Sequence, residues 1–255
     1  MRDVNKVVLQ GAVADPPETR ELEGRQVVTF TVNTDTLQRN PDGSSRPQRA
    51  WHHVVVRDRA AAAAVEGLAP GALVYVEGEL RTRTYVNRAG HRIWETEVIG
   101  QVVQRLDRTD REHVNRAIIL GNVGRVDPLK SFAWGQVLNL SVPTSSGWSP
   151  HDAGASEVTE WNRVSAFDHI AKQVDETVAK GQRVLVEGLV RSRTYTDRNG
   201  VKRRSTEIVA ESVVTSSPRA EPAASPSYAG DKGHRYEPGP GSGRAPDETR
   251  DEAPF

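Results

Sequence analysis

Residues Gly78 to Arg92 read GELRTRTYVNRAGHR, and this string is the most informative part of the sequence for the fold. A close copy, GLVRSRTYTDRNGVK, runs from Gly188 to Lys202. Each copy has two arginines at alternate positions, then a tyrosine, then a turn that contains glycine. Because alternate side chains of a strand point to the same face, the two arginines of each copy share one face. An unusual string that occurs twice predicts a duplicated domain.

The two copies are 110 residues apart, and this single offset aligns much more of the chain than the two strings. The aligned pairs include Gly11 with Gly121, Trp51 with Trp161, Gly71 with Gly181 and Glu97 with Glu207. Such a period is too long for a solenoid, whose repeats span about 20–50 residues. We therefore predict a first domain over residues 1–107, a linker over 108–113 and a second domain over 114–215.

Each copy shows the same order of predicted elements. In the first copy, three strand segments (VNKVVLQGAV, VVTFTVNT and AWHHVVVR) precede the helical segment RAAAAAVEGL, and two strand segments (ALVYVEGELRTRTY and WETEVIGQVV) follow it. In the second copy, the helix is DHIAKQVDETVAKG, with Asp168 as its predicted N-cap. Five strands with one helix between the third and the fourth are typical of an oligonucleotide-binding (OB) barrel. We predict a mainly β chain with two tandem OB-fold five-stranded barrels, in which Gly78 and Gly188 break a strand that coils around each barrel.

The remaining 40 residues, 216–255, have a different composition. They are rich in Pro, Gly, Ser and charged residues and show no apolar periodicity. A segment of this kind cannot bury enough apolar surface to offset the entropy of ordering, so we predict a disordered C-terminal tail.

Composition excludes several classes of protein. The 34 Lys and Arg residues balance the 34 Asp and Glu residues, so the whole chain does not have the basic charge of many nucleic-acid binders. The chain has no cysteine, which excludes disulfides and thiolate metal sites and fits the cytosol. No stretch approaches the roughly 18 apolar residues of a membrane span, and the apolar run after Met1 is too short for a signal peptide. Without a phosphate loop, nucleophile motif or metal-spaced cluster, we expect a soluble cytoplasmic protein that is not an enzyme and needs no cofactor or metal.

The aromatic and basic residues allow two interpretations. Trp51 and Trp161 are as compatible with a barrel core as with a binding surface, and alternating arginines are usually a solvated strand face. Both features occur twice at one spacing, which favours binding. Unpaired nucleic acid needs flat rings on which bases stack and cations along its backbone. Trp94 and Trp134 have no ring at the matching position, so we expect them to pack or to lie at an interface.

Three segments, VNKVVLQG, WHHVVV and LVYVEGELRTRTY, together with their second copies, resemble the bacterial single-stranded DNA-binding protein family. The terminal DEAPF resembles the acidic tail of that family, which ends in Pro-Phe, and the tandem arrangement resembles the two-barrel members of the Deinococcus–Thermus group. The resemblance implies cooperative, sequence-independent coating of single-stranded DNA in replication, recombination and repair. It also implies assemblies of four barrels, hence a homodimer of this chain, and association with the nucleoid.

Candidate binding residues follow from the resemblance and from the interleaving of rings and cations. The expected stacking rings are Trp148, Trp161, Phe167 and Tyr195 in the second copy and Trp51 and Tyr85 in the first. The expected backbone-binding cations are Arg57, Arg81, Arg83, Arg88, Arg191, Arg193, Arg198, Lys202, Arg203 and Arg204. The first copy has Gln38 and Arg57 where the second has Trp148 and Phe167, so we expect the second barrel to bind more tightly.

The tail end is the predicted partner-binding segment, comprising Asp251, Glu252, Ala253, Pro254 and Phe255. A proline-stiffened phenylalanine with its terminal carboxylate suits an apolar pocket rimmed by Lys or Arg, and nearby carboxylates strengthen docking. Most acidic tails only solubilise a protein, and Arg250 interrupts this one. Replication, recombination and repair proteins are the partners that the resemblance implies.

Two other functions use the same features. An RNA-binding or RNA-chaperone barrel protein needs the same rings and cations. An accessory OB-fold assembly or scaffold protein would use the barrels for protein contacts.

Overall fold

The computed structural model describes residues 2–22, 25–39, 45–87, 89–106, 112–146, 158–197 and 200–215. Repeat 1 contains β1 (Val4–Val13), β2 (Glu18–Leu22), β3 (Arg25–Arg39), β4 (Ser45–Val56), α1 (Arg59–Ala63), β5 (Leu73–Val86) and β6 (Arg92–Arg105). Repeat 2 contains β7 (Val114–Asn122), β8 (Arg125–Val126), β9 (Lys130–Phe132), β10 (Gly135–Ser146), β11 (Val158–Phe167), α2 (Asp168–Thr177), β12 (Arg183–Thr196) and β13 (Lys202–Thr215).

Each repeat is built on five main strands with one helix between the third and the fourth. In repeat 1 the strands lie in the order β3-β4-β6-β5-β1, and β1 returns to β3 through the pairs Ala12–Asn33 and Val13–Val32. In repeat 2 the order is β10-β11-β13-β12-β7. Just after β7, the Gly124 amide donates a hydrogen bond to the Ser141 carbonyl of β10. The predicted fold class, two tandem OB-fold barrels in a mainly β chain, is confirmed.

Strand alternation places the core inside each barrel. Along β1, Val7 and Leu9 are fully buried while their neighbours Lys6 and Gln10 are only partly buried. In α2, Ile170 and Val174 lie four residues apart on one face of the helix and are buried in the hydrophobic core. The polar positions between buried aliphatic ones therefore point outward and are available for a surface function.

Two details of the elements differ from prediction. β5 and β12 do not break at Gly78 and Gly188, because each strand continues through a bulge at that glycine. Asp168 is not the N-cap of α2, which is Phe167 with no side-chain cap bond. The Asp168 carboxylate instead accepts a hydrogen bond from the Gln136 amide, 3.1 Å away in β10.

The two repeats form one continuous sheet. β1 and β7 pair antiparallel over seven residue pairs, from Val4–Leu120 to Gln10–Val114. In the predicted linker, the Glu112 carbonyl accepts a bond from the Gln10 side chain. Among the described residues, no helix is both long enough and apolar enough to cross a lipid bilayer.

Candidate nucleic-acid interface

Two of the predicted stacking tryptophans, Trp51 and Trp161, lie on the surface. Trp161 is 61 % exposed and Trp51 is 49 % exposed, so neither is a core residue. Alternation explains this position, because the neighbours of Trp161, Glu160 and Asn162, are both buried in β11. Tyr85 is exposed. Indole faces in such positions are free to stack on a planar ligand.

The arginine pair of repeat 1 shares one face with Tyr85, as the alternation predicts. The Arg83 guanidinium lies 4.3 Å from the centroid of the Tyr85 ring. It also contacts two carboxylates, with Nε 2.6 Å from Glu97 Oε1 and Nη2 2.7 Å from Glu95 Oε2. Arg81 Nε donates to Glu79 Oε1 at 2.8 Å. Arg83 and Tyr85 therefore form a platform of guanidinium and ring, and the carboxylates of Glu95 and Glu97 hold Arg83 in place.

Repeat 2 uses a different arginine for the same purpose. Arg191 binds Glu207 Oε1 through Nε at 3.0 Å and Nη2 at 2.9 Å, and its guanidinium lies 5.2 Å from the Phe167 centroid. Arg193 Nε is more distant, 3.8 Å from the same carboxylate oxygen. Arg191 is therefore fixed between a carboxylate and a ring, whereas Arg193 is held more loosely.

Glu207 is a functional neighbour that the sequence interpretation missed. Only 2 % exposed, it also accepts a hydrogen bond from Ser165 Oγ at 2.5 Å. Burial by itself raises the pKa of Glu207, but the Ser165 hydroxyl and the Arg191 charge together bring that pKa below its ordinary value. Glu97 is buried at the matching position of repeat 1. The signal was present, since Glu97 and Glu207 occur at the same place in both copies, directly before the apolar run of the last strand, and such a repeated acidic position indicates a buried charge partner.

Two predicted cations lie where the repeats meet. Arg204 Nη2 donates to the Trp51 carbonyl at 2.8 Å, across the repeats. Arg203 Nη1 donates to the Arg92 carbonyl, and its guanidinium lies 5.7 Å from the Trp94 ring. The β12–β13 hairpin of repeat 2 therefore reaches β4 and β6 of repeat 1. Any phosphate contact by these two arginines has to compete with these bonds.

The other predicted cations differ in exposure. Arg57 and Lys202 are exposed, and half of the Arg193 side chain is exposed. Tyr195 and Phe167 are partly buried. Trp148, Arg88, Arg198 and the tail residues 251–255 lie outside the described residues.

A second aromatic group lies beside Phe167. Trp134 stacks on Phe132 with ring centroids 5.1 Å apart and an interplanar angle of 5°, and it lies 6.5 Å from Phe167. Trp134 is 67 % exposed and Phe132 is 45 % exposed, so Trp134 does not pack in the core. Because repeat 1 has no matching ring, the sequence predicts that Trp134 packs or lies at an interface. No role is predicted for Phe132 from the sequence. Two aromatic residues at alternate positions of the short SFAWG segment were the available signal.

Each five-stranded barrel exposes a tryptophan on a surface that also carries a ring–guanidinium platform. This combination defines an OB-fold oligonucleotide-binding type of protein. Within the described ranges, no group of three or more His, Asp or Glu side chains could hold a metal ion.

Comparison with known proteins identifies the family. The chain belongs to the Single-strand binding protein family, whose sequence model matches residues 4–106 and again residues 114–216. The predicted resemblance is thereby confirmed. Proteins of this family bind DNA without catalysing a reaction, in agreement with the prediction that the chain is not an enzyme.

Solved structures support the tandem fold. A deletion mutant of the single-stranded DNA binding protein from Thermus aquaticus superposes with a TM-score of 0.69 at 22 % identity, covering 88 % of this chain and 99 % of that one. The wild-type Thermus aquaticus protein gives a TM-score of 0.67 at 22 % identity, covering 88 % and 98 %. A Plasmodium falciparum protein of the same kind, solved with single-stranded DNA, matches at 29 % identity and a TM-score of 0.37, covering 41 % and 96 %. At 22 % identity, the likeness to the Thermus aquaticus protein establishes the two-barrel fold.

Proposed function

We propose that this chain binds single-stranded DNA irrespective of sequence and protects it during replication, recombination and repair. The observation that carries the proposal is the exposure of a tryptophan and of a ring–guanidinium platform on each barrel of a chain in the Single-strand binding protein family. Every base has a π face, so stacking is indifferent to sequence and contributes about 1–3 kcal/mol per base.

The proposed contacts divide into stacking and charge. The stacking rings are Trp51 and Tyr85 in repeat 1 and Trp148, Trp161, Phe167 and Tyr195 in repeat 2. Arg83 and Arg191 are already paired with carboxylates, so they present flat guanidinium faces more than free charge. Arg57, Arg193 and Lys202, which are more exposed, are better placed to neutralise phosphates and release counterions. We retain Arg81, Arg88, Arg198, Arg203 and Arg204 as candidate backbone contacts.

The two barrels differ in their rings, which predicts different affinities. We expect Trp161→Ala to weaken binding to dT oligonucleotides more than Trp51→Ala does, because repeat 2 has a ring at Phe167 where repeat 1 has Arg57. Removing one stacking ring costs about 1–3 kcal/mol, or roughly 5- to 150-fold in Kd. Fluorescence titration of both variants at two salt concentrations measures affinity, footprint and charge dependence together.

The same titrations separate the other functions. A larger loss from Trp51→Ala would reverse the proposed asymmetry. Preference for single-stranded RNA over DNA in direct competition would select an RNA-binding role. Absence of any salt-sensitive binding to either oligonucleotide would point to a scaffold and overturn the proposal.

We further propose that two chains form a homodimer with four barrels, in a cytoplasmic and nucleoid-associated protein. Two barrels are present in each chain, and four is the number that the family resemblance implies. We propose that each chain consists of a first domain over residues 1–107, a linker over 108–113 and a second domain over 114–215. Equilibrium sedimentation of the full chain should give twice the 28.0 kDa mass of one chain.

The tail is proposed to recruit replication, recombination and repair proteins through its last five residues. We expect deletion of Pro254 and Phe255 to abolish capture of such proteins from a lysate while leaving Kd for dT oligonucleotides unchanged. The reason is that the apolar ring and the terminal carboxylate are the groups that a basic-rimmed pocket holds. Equal capture by the full and shortened chains would remove the tail proposal and leave DNA binding untouched.

A further inference from the structure

We propose that Phe132 and Trp134 form an additional base-stacking platform, which is present in repeat 2 only and extends its binding surface beyond Phe167. This inference rests on the proposed binding of single-stranded DNA. The three aromatic residues form one continuous group, since Trp134 stacks on Phe132 at 5.1 Å and approaches Phe167 at 6.5 Å. Arg191 lies 5.2 Å from Phe167, so rings and a guanidinium follow one another across the surface.

The exposure of the pair indicates a surface that receives a planar ligand. A tryptophan that is 67 % exposed and a phenylalanine that is 45 % exposed leave a large apolar area in water. Trp134 approaches Phe167, and Phe167 lies beside Arg191, which is itself held by the buried Glu207 carboxylate. Aromatic faces interleaved with cations suit unpaired nucleotides, because bases stack on the rings and phosphates meet the cations. An oligonucleotide is therefore the occupant that this surface fits.

The hairpin that carries the pair is anchored by a specific contact. Asp168 Oδ1 accepts a bond from the Gln136 amide at 3.1 Å, just after the turn between β9 and β10. A Cβ at Gly135 would lie 2.5 Å from the same oxygen, so only glycine leaves room for the carboxylate. Gly135 also has a φ of 146°, a conformation that side chains rarely adopt. The contact holds the hairpin, and with it Trp134, against the start of α2.

Asp168 is in a strained conformation while it makes this contact. Its φ is 47°, which makes it the one described residue other than glycine with a positive φ. At the matching position of repeat 1, Asp58 has an ordinary φ of −77° and caps α1 by accepting from the Ala61 amide at 2.9 Å. Asp168 does not cap α2, because its carboxylate bonds to the hairpin. Strained residues cluster at functional sites, where the surrounding structure maintains them.

Repeat 1 lacks the residues that such a platform needs. The positions that match Phe132, Trp134 and Gly135 hold Leu22, Gly24 and Arg25. In repeat 2, a Cβ at Gly135 would lie 2.5 Å from the anchoring carboxylate oxygen, and the repeat 1 sequence has an arginine at that position. The platform therefore belongs to repeat 2 alone and adds to the difference between the two barrels.

Affinity for dT oligonucleotides of increasing length tests the platform, with Trp134→Ala as the principal variant of the full chain. We expect Trp134→Ala to weaken binding of long oligonucleotides by about 5- to 20-fold and to leave the shortest binding ones unaffected. Trp134→Phe keeps a flat ring and is the matched control, expected to retain most of the affinity. Crosslinking with 5-iodouracil oligonucleotides, followed by peptide mass analysis, should mark Phe132 or Trp134 directly.

Trp161→Ala serves as the reference for the proposed function itself. If Trp161→Ala weakens binding but Trp134→Ala does not, the platform is refuted and single-stranded DNA binding stands. If neither variant changes Kd, the platform is refuted and the stacking role of Trp161 fails with it. The proposed function itself fails only if the full chain shows no salt-sensitive binding to dT oligonucleotides. If Trp134→Ala changes the sedimenting mass while Kd stays constant, the ring pair is a contact between chains and the inference is overturned.

Discussion

At the scale of single residues, a buried carboxylate decides how each arginine is displayed. Glu207 holds Arg191 against Phe167, and Glu97 holds Arg83 against Tyr85. A charge buried in a barrel wall is unfavourable without a partner, so each carboxylate fixes the guanidinium that neutralises it. A fixed guanidinium loses little conformational entropy when a base or phosphate arrives. The platforms are therefore preorganised before any strand binds.

His52 should make folding sensitive to acid. It is buried in β4 with Nε2 2.9 Å from Thr34 Oγ1, and burial, with a smaller contribution from Arg204, lowers its pKa to about 3. At His52 the unfolded chain binds a proton near pH 6.5 and the folded chain does not. The contribution of His52 to the free energy of unfolding is therefore complete above pH 6.5. It falls by at most about 1.4 kcal/mol per unit as the pH drops from 6.5 toward 3. Urea unfolding at a series of pH values should show this slope.

The variant His52→Asn should reduce that slope. Asn162 occupies the matching position in repeat 2 and donates to Thr144 Oγ1 at 3.0 Å, so asparagine can serve the same hydrogen bond without titrating. His53 remains in both proteins, and its contribution cancels in the comparison. Identical slopes for the wild-type chain and the variant would show that His52 does not carry the effect.

At the scale of elements, the barrels depend on glycine where two strands approach closely. A Cβ at Gly188 would lie 2.1 Å from the Val209 carbonyl oxygen, and one at Gly78 would lie 2.1 Å from that of Ile99. Both glycines mark the bulge through which the long strand bends around its barrel. The same requirement at matching positions explains why this glycine occurs in both copies.

Gly188→Ala should therefore destabilise the fold. The added methyl group cannot avoid a backbone carbonyl, so we expect a loss of about 3 kcal/mol in the free energy of unfolding. Guanidinium unfolding followed by circular dichroism measures this loss. Gly100→Ala is the matched control, because its Cβ would meet only valine methyl groups at 3.3–3.4 Å. Equal losses from the two variants would contradict the proposed clash.

Predictability also differed among the elements. The strands and their order followed from period-two alternation and from the duplication, which are local features of the chain. The role of Asp168 did not, because a residue before a helix can either cap it or bond elsewhere. Which bond forms depends on whether a distant segment, here the turn at Gly135, comes within reach.

At the scale of the whole molecule, the repeats are connected through more than the β1–β7 pairing. Glu160 of repeat 2 is almost fully buried and accepts two bonds from Thr82 of repeat 1, from the amide at 2.8 Å and from Oγ1 at 2.6 Å. Arg204 adds the bond to the Trp51 carbonyl. The strand that carries the repeat 1 tryptophan is thus tied to the hairpin of repeat 2, and the two surfaces are held in one arrangement.

A double-mutant cycle should measure this connection. We expect Thr82→Val and Glu160→Gln to couple by about 1 kcal/mol, because the first removes the hydroxyl that donates across the repeats and the second replaces the charged acceptor of that bond with a weaker neutral one. Unfolding of the four proteins by guanidinium, followed by both fluorescence and circular dichroism, gives the coupling energy. The cycle Thr84→Val with Glu160→Gln is the control, since no bond joins Thr84 to Glu160 among those described. Additive effects in the Thr82 cycle would show that this contact does not connect the repeats.

The duplication and the order of strands and helix in each barrel follow from the amino-acid sequence alone, which also favours an outward position for Trp51, Trp161 and the arginine pairs. These features repeat along the chain or depend on near neighbours, so alternation and the 110-residue offset reveal them. The folded protein is needed to show which carboxylate each arginine binds, where Arg203 and Arg204 lie, and that Trp134 reaches Phe167. Those contacts join residues far apart in the chain, and they form only after the barrels close and the repeats pair.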